Sequence, residues 1–260
     1  MVENVRNWFP FTTYSLEDSN YTQMVFCFHH AGGSASVYRK WTLKKEKMNF
    51  VCVELPGKGT RRKEKFVENF SDLVEPLSES IIKAAGNRDI LFFGHSMGAA
   101  IAFYTADYMK HKYGKCPQKI IVAGRQAPNE ENVTEFKTYM DDNALVKELI
   151  RYHATPKEVL ENEELLNFIL PEIRRDYKLN ESFIYRGECL DIPLILHAGK
   201  KDKEADSTVM RRWSGVTNKE VCIREFDGDH FFVLNMGDEY WKQVNEDLLR
   251  SEKDDRNNTY

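Results

Sequence analysis

Leu91-Phe92-Phe93-Gly94-His95-Ser96-Met97-Gly98-Ala99-Ala100 decides how this chain is read. The apolar run Ile90 to Phe93 reads as a buried strand. It ends in Gly-x-Ser-x-Gly and passes at once into small residues that open a helix running from Met97 to about Tyr113. That layout puts Ser96 on the sharp turn of a nucleophile elbow. Glycine is required at 94 and 98 because such a turn leaves no room for β-carbons beside it. The helix N-terminus behind Ser96 favours negative charge developing there. The five-residue pattern alone recurs in loops; the strand before it and the helix after it give it weight.

Working outward, short apolar runs recur at Met24 to Phe28, Phe50 to Glu54, Lys119 to Ala123, Ile192 to His197 and Val221 to Phe226. With Ile90 to Phe93 they predict one mostly parallel sheet. Leu73, Val74, Leu77, Ile81 and Ile82 recur at helical spacing after a possible cap at Ser71, with Pro76 near the start. Tyr240, Trp241, Val244 and Leu248 form the apolar face of a closing helix over Asp238 to Arg250. Strand and helix alternate, so the class is α/β.

The rhythm breaks once. About sixty residues, Arg125 to Glu188, separate two strands that a single crossover helix could join, so a segment is inserted there. Asn143 to His153, Pro156 to Glu161 and Glu163 to Tyr177 read as short helices, with apolar positions at Leu145, Leu149, Leu160, Leu165, Leu166 and Ile169. They form either a lid or ordinary surface decoration. The charged tail, residues 251–260, is expected to be disordered.

With 260 residues and 42% apolar content, one large domain with an insertion is expected over residues 1–260. Its 37 basic and 41 acidic residues leave a net charge of −4, which excludes a general attraction to nucleic acid or anionic membrane. Met1 to Ser19 lacks a signal-peptide pattern, and no apolar stretch approaches a bilayer span. A soluble, cytoplasmic protein is therefore expected; a monomer is expected as well, though neither charge nor hydropathy bears on it. Cys27, Cys52, Cys116, Cys189 and Cys222 are odd in number and widely spaced, which suggests neither a disulfide framework nor a metal site. Cys27, Cys52 and Cys222 fall in strand-like runs and read as small buried hydrophobes.

A serine hydroxyl is a poor nucleophile at neutral pH, so Ser96 needs a base and an acid to orient it. Four histidines follow Ser96. His230, in Phe226-Asp227-Gly228-Asp229-His230-Phe231-Phe232, lies just past the last strand, where catalytic groups collect in such sheets. His197 reads as a core residue, and His111 and His153 as polar helix faces. The acid should follow the preceding strand, and Asp202 is the best candidate; Asp206 is its rival, while Asp227 and Asp229 read equally well as turn formers. Lys200, Lys201 and Lys203 are either a solvated surface or partners of an ionised carboxylate. Acyl transfer also needs backbone donors for the oxyanion. The amide of Met97 is one, and Ala31, in His29-His30-Ala31-Gly32-Gly33-Ser34, is the choice for the second. That loop lacks the spacing and lysine of a phosphate-binding Walker motif.

With these residues in place, the chain resembles the type II thioesterases, stand-alone α/β hydrolases that accompany nonribosomal peptide and polyketide synthases. The likeness spans nearly the whole length. It rests on Phe28 to Gly33, Glu54 to Arg61, Gly94 to Ala99, Gly124 to Pro128, Leu170 to Tyr177 and Gly228 to Phe232. The resemblance implies Ser96 as nucleophile, Asp202 as acid, His230 as base, the Ala31 and Met97 amides as oxyanion donors, and a helical lid inserted at about 125–188. It implies an acyl or aminoacyl thioester substrate on the phosphopantetheine arm of a carrier protein, with no metal and no cofactor of the enzyme's own. His29 replaces a common proline and Lys58 a common arginine, departures that touch pocket shape and loop electrostatics. A carboxylesterase or lipase acting on oxygen esters, and a non-catalytic binding protein of the same fold, are the alternatives.

Overall fold

The central apolar runs form strands because both of their faces are apolar, which suits a strand covered on two sides. In the computed structural model, which describes residues 2–12, 21–44, 47–130, 137–152 and 155–250, six strands form one parallel sheet in the order β2-β1-β3-β4-β5-β6. They are β1 (Gln23–Phe28), β2 (Met48–Cys52), β3 (Asp89–His95), β4 (Lys119–Ala123), β5 (Leu194–Gly199) and β6 (Val221–Phe226). The pairing register sets Phe28 beside Gly94 and His95 beside Ala123, which brings the carboxyl ends of neighbouring strands level.

The helices are α1 (Val2–Trp8), α2 (Phe70–Ala85), α3 (Met97–Tyr113), α4 (Asp142–Tyr152), α5 (Lys157–Leu160), α6 (Glu163–Glu181), α7 (Ser207–Met210), α8 (Phe232–Asn235) and α9 (Asp238–Leu249). Strand alternation divides the core. Phe26, Phe92, Val122 and Leu196 face α2 and α3, whereas Val25, Leu91, Phe93 and Ile121 face Tyr240, Trp241, Val244 and Leu248 of α9. Each large side chain so buried contributes roughly 1.5–3 kcal/mol. The inserted helices have a small core of their own, formed by Leu145 and Leu149 of α4 with Leu170 and Ile173 of α6.

Several boundaries differ from the sequence reading. The cap of α2 is Asn69, whose side chain accepts from the Asp72 amide at 2.9 Å; Ser71 only donates to Asn69, so Pro76 falls inside the helix. Helix α6 continues past Tyr177 to Glu181 with Pro171 inside it. Cys27 and Cys52 are buried, but Cys222 is only half-buried because β6 is an edge strand. His197 is a core residue as expected, bonded to Tyr240 Oη at 2.8 Å and Asp247 Oδ2 at 3.1 Å. His153 and the tail at 251–260 lie outside the described residues. No helix among the described residues is long and apolar enough to cross a membrane.

Candidate active site

Because every strand runs the same way, the turns after β1, β3, β4, β5 and β6 meet at one edge of the sheet. Ser96 occupies the turn between β3 and α3 with φ 55° and ψ −117°, the one positive φ outside glycine among the described residues. Such a conformation costs about 1–3 kcal/mol and persists only where the surroundings enforce it. A β-carbon on Gly94 would stand 2.3 Å from the Gly98 carbonyl oxygen, and one on Gly98 would stand 2.1 Å from the carbonyl oxygen of Phe28. The two glycines are thus required by close backbone approach.

His230 lies between β6 and α8, 134 residues beyond Ser96, and its Nε2 is 3.0 Å from Ser96 Oγ. On its other side Nδ1 is 2.8 Å from Asp202 Oδ2. The second oxygen of Asp202 accepts from the amides of Glu204 and Ala205 at 3.0 and 3.2 Å. Burial works against the ionised carboxylate; the hydrogen bond and charge of His230, then the two amides, outweigh it and hold the carboxyl below its ordinary value. The three predicted side chains are therefore joined in one relay. Asp206 is not part of it, because its side chain accepts from the Val209 amide and caps α7. Asp229 closes a turn on the Phe231 amide, and Asp227 pairs at the surface with Lys200. Among the described residues His230 is the only ion partner of Asp202, so the lysines at 200, 201 and 203 do not hold it.

Beneath this relay lie buried imidazoles. His95 donates from Nε2 to the His230 carbonyl at 2.8 Å, and its ring centre is 5.3 Å from that of His30. Burial, then the neighbouring His230, push the His95 pKa down to about 3, so the ring is neutral. Ala31 and Met97 line the same cavity, of about 540 Å³, as Ser96 and His230.

The far wall comes from the inserted segment through Lys137, Tyr152, Tyr177 and Asn180. Tyr152 packs its ring 5.2 Å from that of His230, and its hydroxyl accepts from Lys137 Nζ at 2.5 Å. Arg151 of α4 reaches Glu204 beside Asp202 at 2.6 Å. Arg125, after β4, donates to Asn180 Oδ1 at 2.7 Å, and its carbonyl accepts from Trp213 Nε1 at 2.7 Å. None of these roles was predicted. The one usable signal was position, since Arg125 follows a strand end and Glu204 lies two residues past the candidate acid.

A serine on a strand–turn–helix elbow, joined through histidine to a carboxylate at the carboxyl edge of a parallel sheet, defines an α/β hydrolase. Comparison with known proteins narrows the class: the model of the thioesterase domain family matches residues 23–248, and the chain belongs to that family. It is 34% identical over 215 residues to LgrE of Brevibacillus parabrevis, named a linear gramicidin dehydrogenase, covering 81% of each chain. It is 31% identical over 229 residues to thioesterase PikA5 of Streptomyces venezuelae, covering 86% of this chain and 80% of that one. The solved structure of YbtT, a type II thioesterase from the yersiniabactin nonribosomal peptide/polyketide pathway, superposes with a TM-score of 0.75 at 28% identity. The match covers 89% of this chain and 94% of YbtT. The chain is accordingly a hydrolase of thioesters.

Proposed function

We propose that the enzyme removes acyl or aminoacyl groups held as thioesters on the phosphopantetheine arm of carrier proteins, clearing stalled or mis-primed nonribosomal peptide or polyketide synthases. The observation that carries this reading is the unbroken contact from Ser96 Oγ through His230 to Asp202, at 3.0 and 2.8 Å. Kinship with PikA5 and YbtT supports the substrate class.

Asp202 accepts the Nδ1 proton of His230, which leaves the Nε2 lone pair facing the serine. Ser96 Oγ attacks the thioester carbon while its proton passes to Nε2; the amides of Ala31 and Met97 receive the oxyanion. Collapse breaks the carbon–sulfur bond; the pantetheine sulfur leaves with the proton from His230 Nε2 as the free thiol, and an acyl-serine and a neutral His230 remain. Water then attacks, His230 takes its proton, and the free acid departs with the serine hydroxyl restored. Thiolate leaves readily, so assistance from an acid matters less than in amide cleavage. The protein's own groups and water suffice for this sequence, with no cofactor required. We place the enzyme in the cytoplasm as a monomer that docks carriers near the inserted helices.

The dehydrogenase name of LgrE stays with that protein. Here the loop after β1 runs His29-His30-Ala31-Gly32-Gly33-Ser34, without the Gly-x-Gly-x-x-Gly spacing that cradles a dinucleotide.

The test is mass spectrometry of carrier proteins bearing different acyl and aminoacyl groups after incubation with enzyme. Release of the acyl group with the pantetheine arm left intact is the expected result. A large preference for short aryl esters over carrier thioesters would favour a carboxylesterase instead.

A further inference from the structure

The loop bearing Ala31 is anchored from outside the cavity by a buried ion pair. Asp176 of α6 and Lys58, from the loop after β2, each leave only 2% of the side chain exposed, and Lys58 Nζ donates to Asp176 Oδ2 at 2.7 Å. The same carboxylate oxygen accepts from the amide of Gly32 at 2.6 Å. Three segments remote in sequence therefore converge on one atom. Glu172, one turn earlier on α6, stands 3.8 Å from Lys58 Nζ.

Stability alone does not explain the arrangement. Taking two charges out of water is costly, and a well-packed apolar pair of similar volume often serves folding as well or better. What an apolar pair lacks is an acceptor for the Gly32 amide. Gly32 has φ 83°, and its α-carbon faces Ile173 of the same helix, where an added β-carbon would lie 3.5 Å away. The far end of the loop has an anchor of its own, since buried Glu54 accepts from the Ala35 amide at 3.0 Å. Between these fixed points lie Ala31 and its neighbours. Holding the Gly32 N–H fixes the peptide that follows Ala31, while the peptide carrying the Ala31 N–H is held through the His30 carbonyl, which accepts from the Gly33 amide at 3.1 Å; the two restraints together set the direction in which the Ala31 N–H points.

We propose that Asp176, paired with Lys58, is a positioning residue for the oxyanion hole: it pins the Gly32 amide, aims the Ala31 N–H at the developing oxyanion, and makes the hole depend on the seating of α6. This rests on the assignment of Ala31 as an oxyanion donor. Hydrogen-bond donors stabilise a transition state only when held in place beforehand, so a loosened loop loses rate rather than ground-state binding.

The test compares wild type, Asp176→Asn and the apolar double variant Lys58→Met/Asp176→Leu on p-nitrophenyl acetate, a substrate that needs no carrier. The double variant should melt near wild type, lose about 100-fold in kcat with KM within about threefold, and lose affinity for an alkyl boronic acid in parallel. Asp176→Asn keeps an acceptor for Gly32 and should fall only about tenfold. Wild-type kcat and boronate affinity in the double variant would overturn the proposal, as would a change confined to KM. If the double variant does not fold, Asp176→Asn decides: unchanged kcat refutes the idea and a tenfold loss at constant KM supports it. Ser96→Ala run alongside separates the two levels. Turnover surviving in that variant would instead overturn the site assignment itself.

Discussion

His95 donates its Nε2–H to the main-chain carbonyl of His230 at 2.8 Å, so the residue before Ser96 holds the backbone of the residue that Ser96 contacts. Burial keeps His95 neutral above its pKa of about 3, and the neutral ring makes this bond in its Nε2–H tautomer. Replacing it with phenylalanine leaves the His230 carbonyl without its partner and frees the loop. We expect His95→Phe to lower kcat about 100-fold, the usual scale for an ångström of misplacement, and His95→Gln, which retains an amide donor, to recover much of it. Steady-state kinetics on an acyl-thioester will check the pair.

The elbow allows a second prediction. A methyl on Gly98 collides with the backbone at Phe28 rather than with a movable side chain, so strand β1 or helix α3 must shift. Gly98→Ala should destabilise the protein by roughly 3 kcal/mol and abolish turnover. Urea unfolding followed by fluorescence measures the first and an ester assay the second.

Asp202 and Asp206 are four residues apart and should respond oppositely to the same change. Asp202→Asn removes the group that orients His230 and should cut kcat by about 10³–10⁴-fold. Asp206→Asn alters a short helix cap, costs a fraction of the ~1 kcal/mol that caps contribute, and leaves kcat intact. Comparable losses of kcat in both variants would refute the assignment of the acid.

Acid should destabilise the fold through His29. Burial, then the charge of Lys58, lowers its pKa to about 4, against an ordinary value near 6.5. Above pH 6.5 both folded and unfolded chains carry it neutral. Below that, the unfolded chain binds a proton that the folded chain refuses, so stability falls by about 1.4 kcal/mol per pH unit until pH 4 is reached. His29→Asn keeps a donor near the position of Nδ1, which bonds the His30 carbonyl at 2.8 Å, and does not titrate. Its denaturation midpoint should drop less than that of wild type between pH 7 and pH 5.

Much of this architecture was legible in the chain. Strands β4 and β6 fall at their predicted residues because apolar runs flanked by polar breaks have few alternatives, and the elbow was legible because its glycines answer to a local clash. Ser96, Asp202 and His230 followed from strand ends and chain order. What stayed hidden was long-range. Nothing near Asp176 announces that it meets Gly32, 144 residues away, and nothing near Tyr152 announces a contact with His230. The extension of α6 from Tyr177 to Glu181 was missed because Lys178, Asn180 and Glu181 are polar and continue no apolar pattern, whereas burial of Leu179 in the core carries the helix on.

The bend at position 96 would sooner accept glycine than serine, since only glycine adopts φ 55° without penalty. Replacement by glycine, which removes the β-carbon together with the hydroxyl, therefore relieves the main chain instead of damaging it. In a lineage no longer selected for turnover, drift at this codon runs downhill toward a better-folded, inert descendant, so the activity lasts only as long as selection actively maintains it.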